Sequence, residues 1–256
     1  MSQAPVTLES QALSKTYYST DPPTEVLRGI DLTVRTGEFL VIMGASGSGK
    51  STLLYSVSGM DRPTSGNVVL EGRELTSLSD AEMSTVRLTR MGFVFQQPHF
   101  LSNLDVRDNI LLPALKAAPR GGRHAAVTRV DALMARFGIA HLKDHGITQV
   151  SGGQLQRASI CRALAGEPAV LFADEPTGAL NSTMSTEVMD ALTDVHRDGT
   201  TIVMVTHDPG CAARGDRVIY LRDGVLVDSA ELGPWQEDEA QRREDELLVW
   251  LRKLGF

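Results

Sequence analysis

The sequence predicts an α/β fold with a parallel sheet, and three observations carry that expectation. Short apolar runs flanked by turn residues recur along all 256 residues, with helix-like stretches between them. Two of the runs, VLFA at 170–173 and TIVMVT at 201–206, are continuously apolar instead of alternating, as strands covered on both faces must be. A third, FLVIM at 39–43, runs directly into a Gly/Ser-rich loop that opens a helix.

In chain order the strand candidates are residues 7–13, 30–34, 39–43, 67–70, 91–95, 169–173, 201–206 and 218–221. After the loop at 44–51, STLLYSVSG reads as a helix closed by Gly59. Residues 98–150 are helix-like and broken by Pro98, Pro113, Pro119 and Gly121-Gly122, which marks an inserted helical subdomain. A second helix is expected over 154–164. Asp223-Gly224 sits between residues 217–221 and 225–227 as a type I′ hairpin signal, so an antiparallel ribbon should follow the last parallel strand. The tail places Leu247, Leu248, Trp250, Leu251 and Leu254 on one helical face, to be docked as a cap on the domain or offered to a partner. The expected domains are 1–97 with 152–228, an insert at 98–151 and a helical tail at 229–256.

Composition narrows the function. Lys and Arg number 25 against 32 Asp and Glu, a net charge of −7, so there is no basic stripe to displace counterions from nucleic acid. The apolar runs are strand-sized, far below the roughly 18 residues a bilayer span needs. The first ten residues, MSQAPVTLES, lack the basic and apolar regions of a secretory signal. Cys161 and Cys211 share no metal-type spacing and suit a reducing compartment. A cytoplasmic protein is expected. Only five residues are Lys, so the place of each one matters.

Gly44, Ala45, Ser46, Gly47, Ser48, Gly49, Lys50 and Ser51 match GxxxxGK[ST] in the context that gives the pattern meaning, after a strand and before a helix. Small residues let the backbone curl round an anion, so that N–H groups and the positive end of the helix face a β-phosphate. Lys50 would reach the β- and γ-phosphates, and the Ser51 hydroxyl would join a Mg²⁺ shell. A P-loop NTPase core follows. The run at 169–173 ends in Asp174 and Glu175, and adjacent acids can divide labour. Asp174 would hold Mg²⁺ through water while Glu175 orients or deprotonates the attacking water.

Twenty residues before Asp174 stands Val150-Ser151-Gly152-Gly153-Gln154, which resembles the LSGGQ signature of ABC-type ATPases, with Val150 in place of the usual Leu. The resemblance covers residues 6–228 and implies an ABC-type, RecA-like core with an N-terminal antiparallel β-subdomain and an inserted α-helical subdomain. It implies that Tyr17 stacks on adenine, with Tyr18 as the alternative, and that Gln96 touches Mg²⁺ and the attacking water. Thr52 joins the residues binding ATP, and His207 contacts the γ-phosphate. Ser151, Gly152, Gly153 and Gln154 would grip an ATP held by the opposite subunit. Asn181 stands where the D-loop usually ends in Asp; Asn keeps an acceptor but loses the charge.

Within the family, VLRGIDLTV, MGFVFQQPHFLSNLDVRDNILLPALKA and LFADEPTGALNS resemble the ATPases of the macrolide-exporter, lipoprotein-release and bacitracin-exporter group. This implies a head-to-tail homodimer around two ATPs at the cytoplasmic face of the membrane. There it would drive a separate transmembrane permease that exports or extracts a hydrophobic or peptide-like substrate such as an antimicrobial. The same lever architecture permits an envelope or signalling complex that moves no substrate. Residues 98–109 are the expected contact with the permease. A soluble ABC protein of DNA repair or translation would need duplicated cassettes, a coiled coil, zinc cysteines or a basic surface, and none of these appears in the sequence.

Overall fold

The structure, a computed structural model, describes residues 4–19 and 21–256. In chain order the elements are β1 (Val6–Tyr17), β2 (Thr24–Arg35), β3 (Phe39–Met43), α1 (Lys50–Val57), β4 (Ser65–Leu70), β5 (Arg73–Glu74), α2 (Asp80–Arg90) and β6 (Met91–Phe95). Then come α3 (Val106–Ala117), α4 (Arg123–Arg136), α5 (Gly152–Leu164), β7 (Val170–Asp174), α6 (Ser182–Arg197) and β8 (Thr201–Val205). The chain closes with α7 (Pro209–Ala212), β9 (Arg217–Arg222), β10 (Val225–Glu231) and α8 (Ala240–Lys253). The described residues fall into two compact units: those up to Met83 together with Thr201–Phe256, and Ser84–Thr200.

The first unit holds an antiparallel sheet of order β2-β1-β4-β5 and the strands β10-β9-β3-β8. β2 reaches back to Thr24, six residues before the expected start. It does so because β1 pairs with it over its whole length, from Val6 opposite Arg35 to Tyr17 opposite Thr24. Its buried side chains are Leu27, Ile30, Leu32 and Val34. The parallel strands are covered on both faces: every residue of β3 and of β8 is buried. β8 runs parallel to β3 with Ile42 opposite Val205, and β9 lies on the other side with Met43 opposite Tyr220. The expected hairpin is present, with Asp223 at φ 50° and Gly224 at φ 78°, both left-handed as a type I′ turn requires.

α8 belongs to this unit as a docked helix. Leu247 and Leu251 are buried, and Trp250 donates from Nε1 to Asp228 at 2.9 Å while meeting Tyr220 edge to face.

In the second unit β6 and β7 pair in parallel, from Met91 opposite Val170 to Phe95 opposite Asp174. Residues 98–151 supply α3 and α4 with two short 3₁₀ turns. Pro113 does not break its segment, as the sequence suggested it would, but lies inside α3. Packing explains this: Ile110, Leu111 and Ala114 are buried on both sides of it and hold the helix despite the lost hydrogen bond. Burial also silences Cys161, whose thiol is pushed up to about 12. Among the described residues no helix is long and apolar enough to cross a membrane.

Phe172 is fully buried and stacks on Phe93 with ring centroids 5.6 Å apart. Phe172→Ala should therefore lower stability by about 3–5 kcal/mol, the range for deleting a core aromatic, as read by urea unfolding. A loss below about 1 kcal/mol would mean that the second unit does not depend on this stack.

Candidate active site

β3 ends in the glycine-rich loop, and the geometry explains each small residue that matters. A Cβ on Gly44 would lie 2.1 Å from the Leu221 carbonyl oxygen, so a side chain there would push the loop off β9. Gly47 and Gly49 adopt φ 78° and 101°, which turns the chain left-handed into α1. Ala45, Ser46 and Gly47 are exposed, Gly44, Ser48 and Gly49 are buried, and Lys50, Ser51 and Thr52 are half-buried. Lys50 folds over its own loop, donating from Nζ to the carbonyls of Gly44 at 2.9 Å and Ala45 at 3.0 Å. The helix opens on Gly49 with no side-chain cap. Ser48 Oγ is buried without a hydrogen-bond partner among the described residues. These features fit an anion at the loop: a cradle that admits no Cβ at Gly44, an uncapped helix start and an ammonium poised above it.

Beside this loop, in the same unit, stand Tyr17 and His207. Tyr17 donates its hydroxyl to Asp61 Oδ2 at 2.7 Å, and the Lys15 ammonium lies 4.9 Å from its ring centroid. Lys15 also pairs with Asp61 and donates to the Arg62 carbonyl at 2.7 Å. Burial raises the phenol above its ordinary range, the Asp61 carboxylate adds to this, and the hydrogen bond with Thr52 works the other way. Tyr18 is 71% exposed. His207 is exposed just beyond β8, so it leaves the same end of the parallel pair as the loop beyond β3.

The second unit collects the other group. Gln96 and Glu175 leave adjacent strand ends, since Phe95 is opposite Asp174. Asp174 is buried, and Glu175 is half-buried on a left-handed backbone, φ 47°, an uncommon conformation for a residue with a side chain. The Gln96 amide lies against Gly178, where a Cβ would come 2.8 Å from Nε2. Gln156, fully buried in α5, donates to the Phe95 carbonyl at 2.9 Å and so ties the signature helix to the strand carrying Gln96.

α5 begins at Gly152, two residues earlier than expected, because Ser151-Gly152-Gly153-Gln154 is a capping box. Ser151 Oγ accepts from the Gln154 N–H at 3.4 Å, and Gln154 Oε1 accepts from the Ser151 N–H at 3.1 Å. The S-x-x-Q spacing was the signal. Both glycines are packed closely, Gly152 against Leu180 and Gly153 against Met184. Asn181 caps α6, its Oδ1 accepting from the Met184 N–H at 2.9 Å.

Other residues emerge only from the structure. Arg162 on α5 donates to the carbonyls of Pro98 at 2.6 Å and His99 at 3.4 Å, and stacks over Phe100 at 4.5 Å. Burial pulls its pKa down to about 10. Asn109, also buried, accepts from Leu101 N–H at 2.7 Å and donates to the carbonyls of Leu101, Leu104 and Asp105. The stretch 98–109 is thus shaped from beneath by two side chains, leaving Leu101 49% exposed.

The family model that describes the ABC transporter matches residues 27–178. The chain belongs to the ABC transporter family. As a member of it, the chain is an ATPase cassette. It is 45% identical over 237 residues to the macrolide export ATP-binding/permease protein MacB of Rhodopseudomonas palustris (strain HaA2), covering 93% of this chain and 35% of that protein. The chain thus spans about a third of the length of the MacB relatives it matches. It is 42% identical over 228 residues to the bacitracin export ATP-binding protein BceA of Halalkalibacterium halodurans, covering 88% of this chain and 89% of that one. Among solved structures, the dimeric structure of MJ0796, a bacterial ABC transporter cassette, superposes with a TM-score of 0.80 at 35% identity. That match covers 89% of this chain and 100% of the other. A dimeric post-hydrolysis state of the same cassette, bound to ADP and Pi, gives 0.78.

The cap geometry makes a prediction for this cassette. Asn181→Ala should cost about 1 kcal/mol of stability, the value of a lost N-cap, whereas Asn181→Asp should cost none, because a carboxylate caps equally well. Chemical denaturation of both variants checks it; equal losses would show that the Asn181 cap contributes nothing.

Proposed function

We propose that the chain is the ATP-hydrolysing subunit of an exporter, dimerising head to tail around two ATPs and driving a separate transmembrane permease from the cytoplasmic face of the membrane. The substrate class, by analogy with the names of its relatives, is a hydrophobic or peptide-like compound such as an antimicrobial. The observation that carries the dimer is the signature turn. Ser151 and Gly152 lie exposed at the start of α5, whose capping box a nucleotide would have to displace, and in this reading they form a second phosphate-gripping surface in a chain that already has the loop at 44–51. The dimeric cassettes of similar fold support the same arrangement.

In this reading Ser46, Gly47, Ser48 and Gly49 present main-chain N–H groups to the phosphates, Gly44 lets the loop curl, and Thr52 stands beside them. Tyr17 stacks on adenine. Lys50 exchanges its two loop carbonyls for phosphate oxygens. Ser51, Gln96 and, through water, Asp174 would hold Mg²⁺, which when bound would neutralise charge developing on the phosphates. Glu175 takes a proton from the attacking water, and His207 meets the γ-phosphate. From the other copy, Ser151, Gly152, Gly153 and Gln154 close the same nucleotide. Residues 98–109, shaped by Arg162 and Asn109, receive the permease. Hydrolysis joins the water oxygen to the γ-phosphorus and breaks the β–γ phosphoanhydride, leaving ADP and inorganic phosphate. With the γ-phosphate no longer part of the nucleotide that both copies grip, the dimer opens and the permease follows.

Glu175→Gln tests the central step. It should retain ATP binding, accumulate a closed dimer in ATP and lose about 10²-fold or more in turnover, the contribution expected of a general base. Turnover at the normal rate, with dimerisation unaltered, would remove Glu175 from that role.

A further inference from the structure

α8 is docked by its apolar face, yet its most buried polar group has nothing to do with apolar docking. Arg243 is 3% exposed, and among the described residues its guanidinium donates to five main-chain carbonyls drawn from two separate segments. On one side Nε reaches Ala213 at 3.0 Å and Nη2 reaches Gly215 at 2.8 Å. On the other, Nη1 reaches Leu232, Gly233 and Pro234 at 3.0, 3.1 and 3.0 Å. Only a planar fork with five donors can serve carbonyls on two sides at once; a lysine ammonium cannot.

The first of those segments is the far end of the turn that carries His207. Residues 207–216 are fixed at both ends. At the near end Thr206 donates its N–H to the Ile42 carbonyl at 3.3 Å and accepts from the Asp208 N–H at 3.1 Å on Oγ1. Asp208 then caps α7 through the Cys211 N–H at 2.8 Å. At the far end Asp216 accepts from the Phe39 N–H at 2.9 Å and donates its own to the Phe39 carbonyl at 2.8 Å. Between these anchors residues 208–215 bond to one another along the main chain, Gly215 packs close to Val41 of β3, and the tail adds a hold of its own. Arg243 takes Ala213 and Gly215, the Arg214 guanidinium stacks over Trp235 at 4.5 Å, and the Glu244 carboxylate lies against Gly210. Leu247 and Leu251 already dock the helix, so the buried cation adds placement of this turn to a helix that is otherwise seated.

We propose that Arg243 is a positioning residue for hydrolysis: through Ala213 and Gly215 it sets the turn that presents His207, so that the C-terminal helix governs the catalytic rate. This rests on the reading of His207 given above. The principle behind it is that a displacement of about 1 Å at a reacting group can cost 10²-fold in rate.

The test uses the full chain and compares Arg243→Met, Leu247→Ala, His207→Ala and the double variant His207→Ala with Arg243→Met. Arg243→Met should lower kcat for ATP at least tenfold while KM for ATP and the affinity for a fluorescent ATP analogue stay within twofold. Leu247→Ala, which weakens the same helix but leaves the guanidinium in place, should lower the melting temperature and leave kcat below that melt unchanged. The double variant should be no slower than His207→Ala alone, because both changes remove one function. Should Arg243→Met fail to fold, Arg243→Lys replaces it, with the charge kept, the fork lost and the same fall in kcat expected. An unchanged kcat in the Arg243 variant, an equal fall in Leu247→Ala, or additive losses in the double variant would each overturn the inference. A normal rate in His207→Ala would instead overturn the role given to His207 itself.

Discussion

The amide groups at the start of a helix have no partners within it, and the way this protein meets that demand organises its functional surface. Asp105, Ser151, Asn181 and Asp208 each turn a side-chain oxygen back onto the first turn of α3, α5, α6 and α7. α1, like α4 and α8, has no side-chain cap, and it is the one of these three that follows the glycine-rich loop. It opens on Gly49, whose left-handed backbone carries no side chain to fold back, so the positive end of that helix faces the loop at 44–51 uncapped. The position of that loop depends in turn on β3. A five-residue strand, buried throughout and held on both sides by β8 and β9, delivers Gly44 to within touching distance of the Leu221 carbonyl. A phosphate-binding loop needs this rigidity behind it, since its selectivity comes from main-chain atoms that cannot be repositioned by a rotamer change.

What the sequence displays and what it hides follow from the same distinction. The loop at 44–51, the hairpin at Asp223-Gly224 and the buried parallel strands were legible because each rests on a backbone or burial requirement that few residue types satisfy. The true start of α5 was legible too, in the S-x-x-Q spacing, although the small residues drew attention to phosphate binding first. The first half of β2 was not. Residues 24–29 show too little apolar alternation, and their strand state is imposed by pairing with β1. Pro113 misled for the reverse reason: a local helix breaker is overruled where packed neighbours on both sides hold the helix.

The candidate site shows the same division. Lys50, Ser51, Asp174 and Glu175 could be read from motif and position. Tyr17, Gln96, His207 and the signature residues needed the family resemblance, since a tyrosine, a glutamine or a histidine at a strand end has no periodicity to announce it. The residues that hold them in place announced themselves in neither way. Asp61 and Lys15, which engage Tyr17, are separated by 46 positions, and Arg162 lies 64 positions from the carbonyl it grips at Pro98. Such contacts are made to main-chain atoms or to single distant side chains, so they leave no spacing in the sequence.

Arg162 and Arg243 use one device in different places. Each is a guanidinium drawn out of water and satisfied mainly by main-chain carbonyls, with burial holding its pKa below the ordinary range. An acid partner would have offset more of the desolvation cost, but it would have secured only a side chain. A carbonyl belongs to the backbone, so gripping it fixes the path of the chain itself: the turn after Gln96 in one case, the turn after His207 in the other. Both turns follow a residue expected to sense the nucleotide, and both must keep their shape while that residue changes partner. Lysine, with a flexible stem and a strongly hydrated head, would hold neither path as firmly, and a buried leucine would dock the helices without directing the turns. The two arginines are best understood as the means by which rigid helices control loops that have no regular structure of their own.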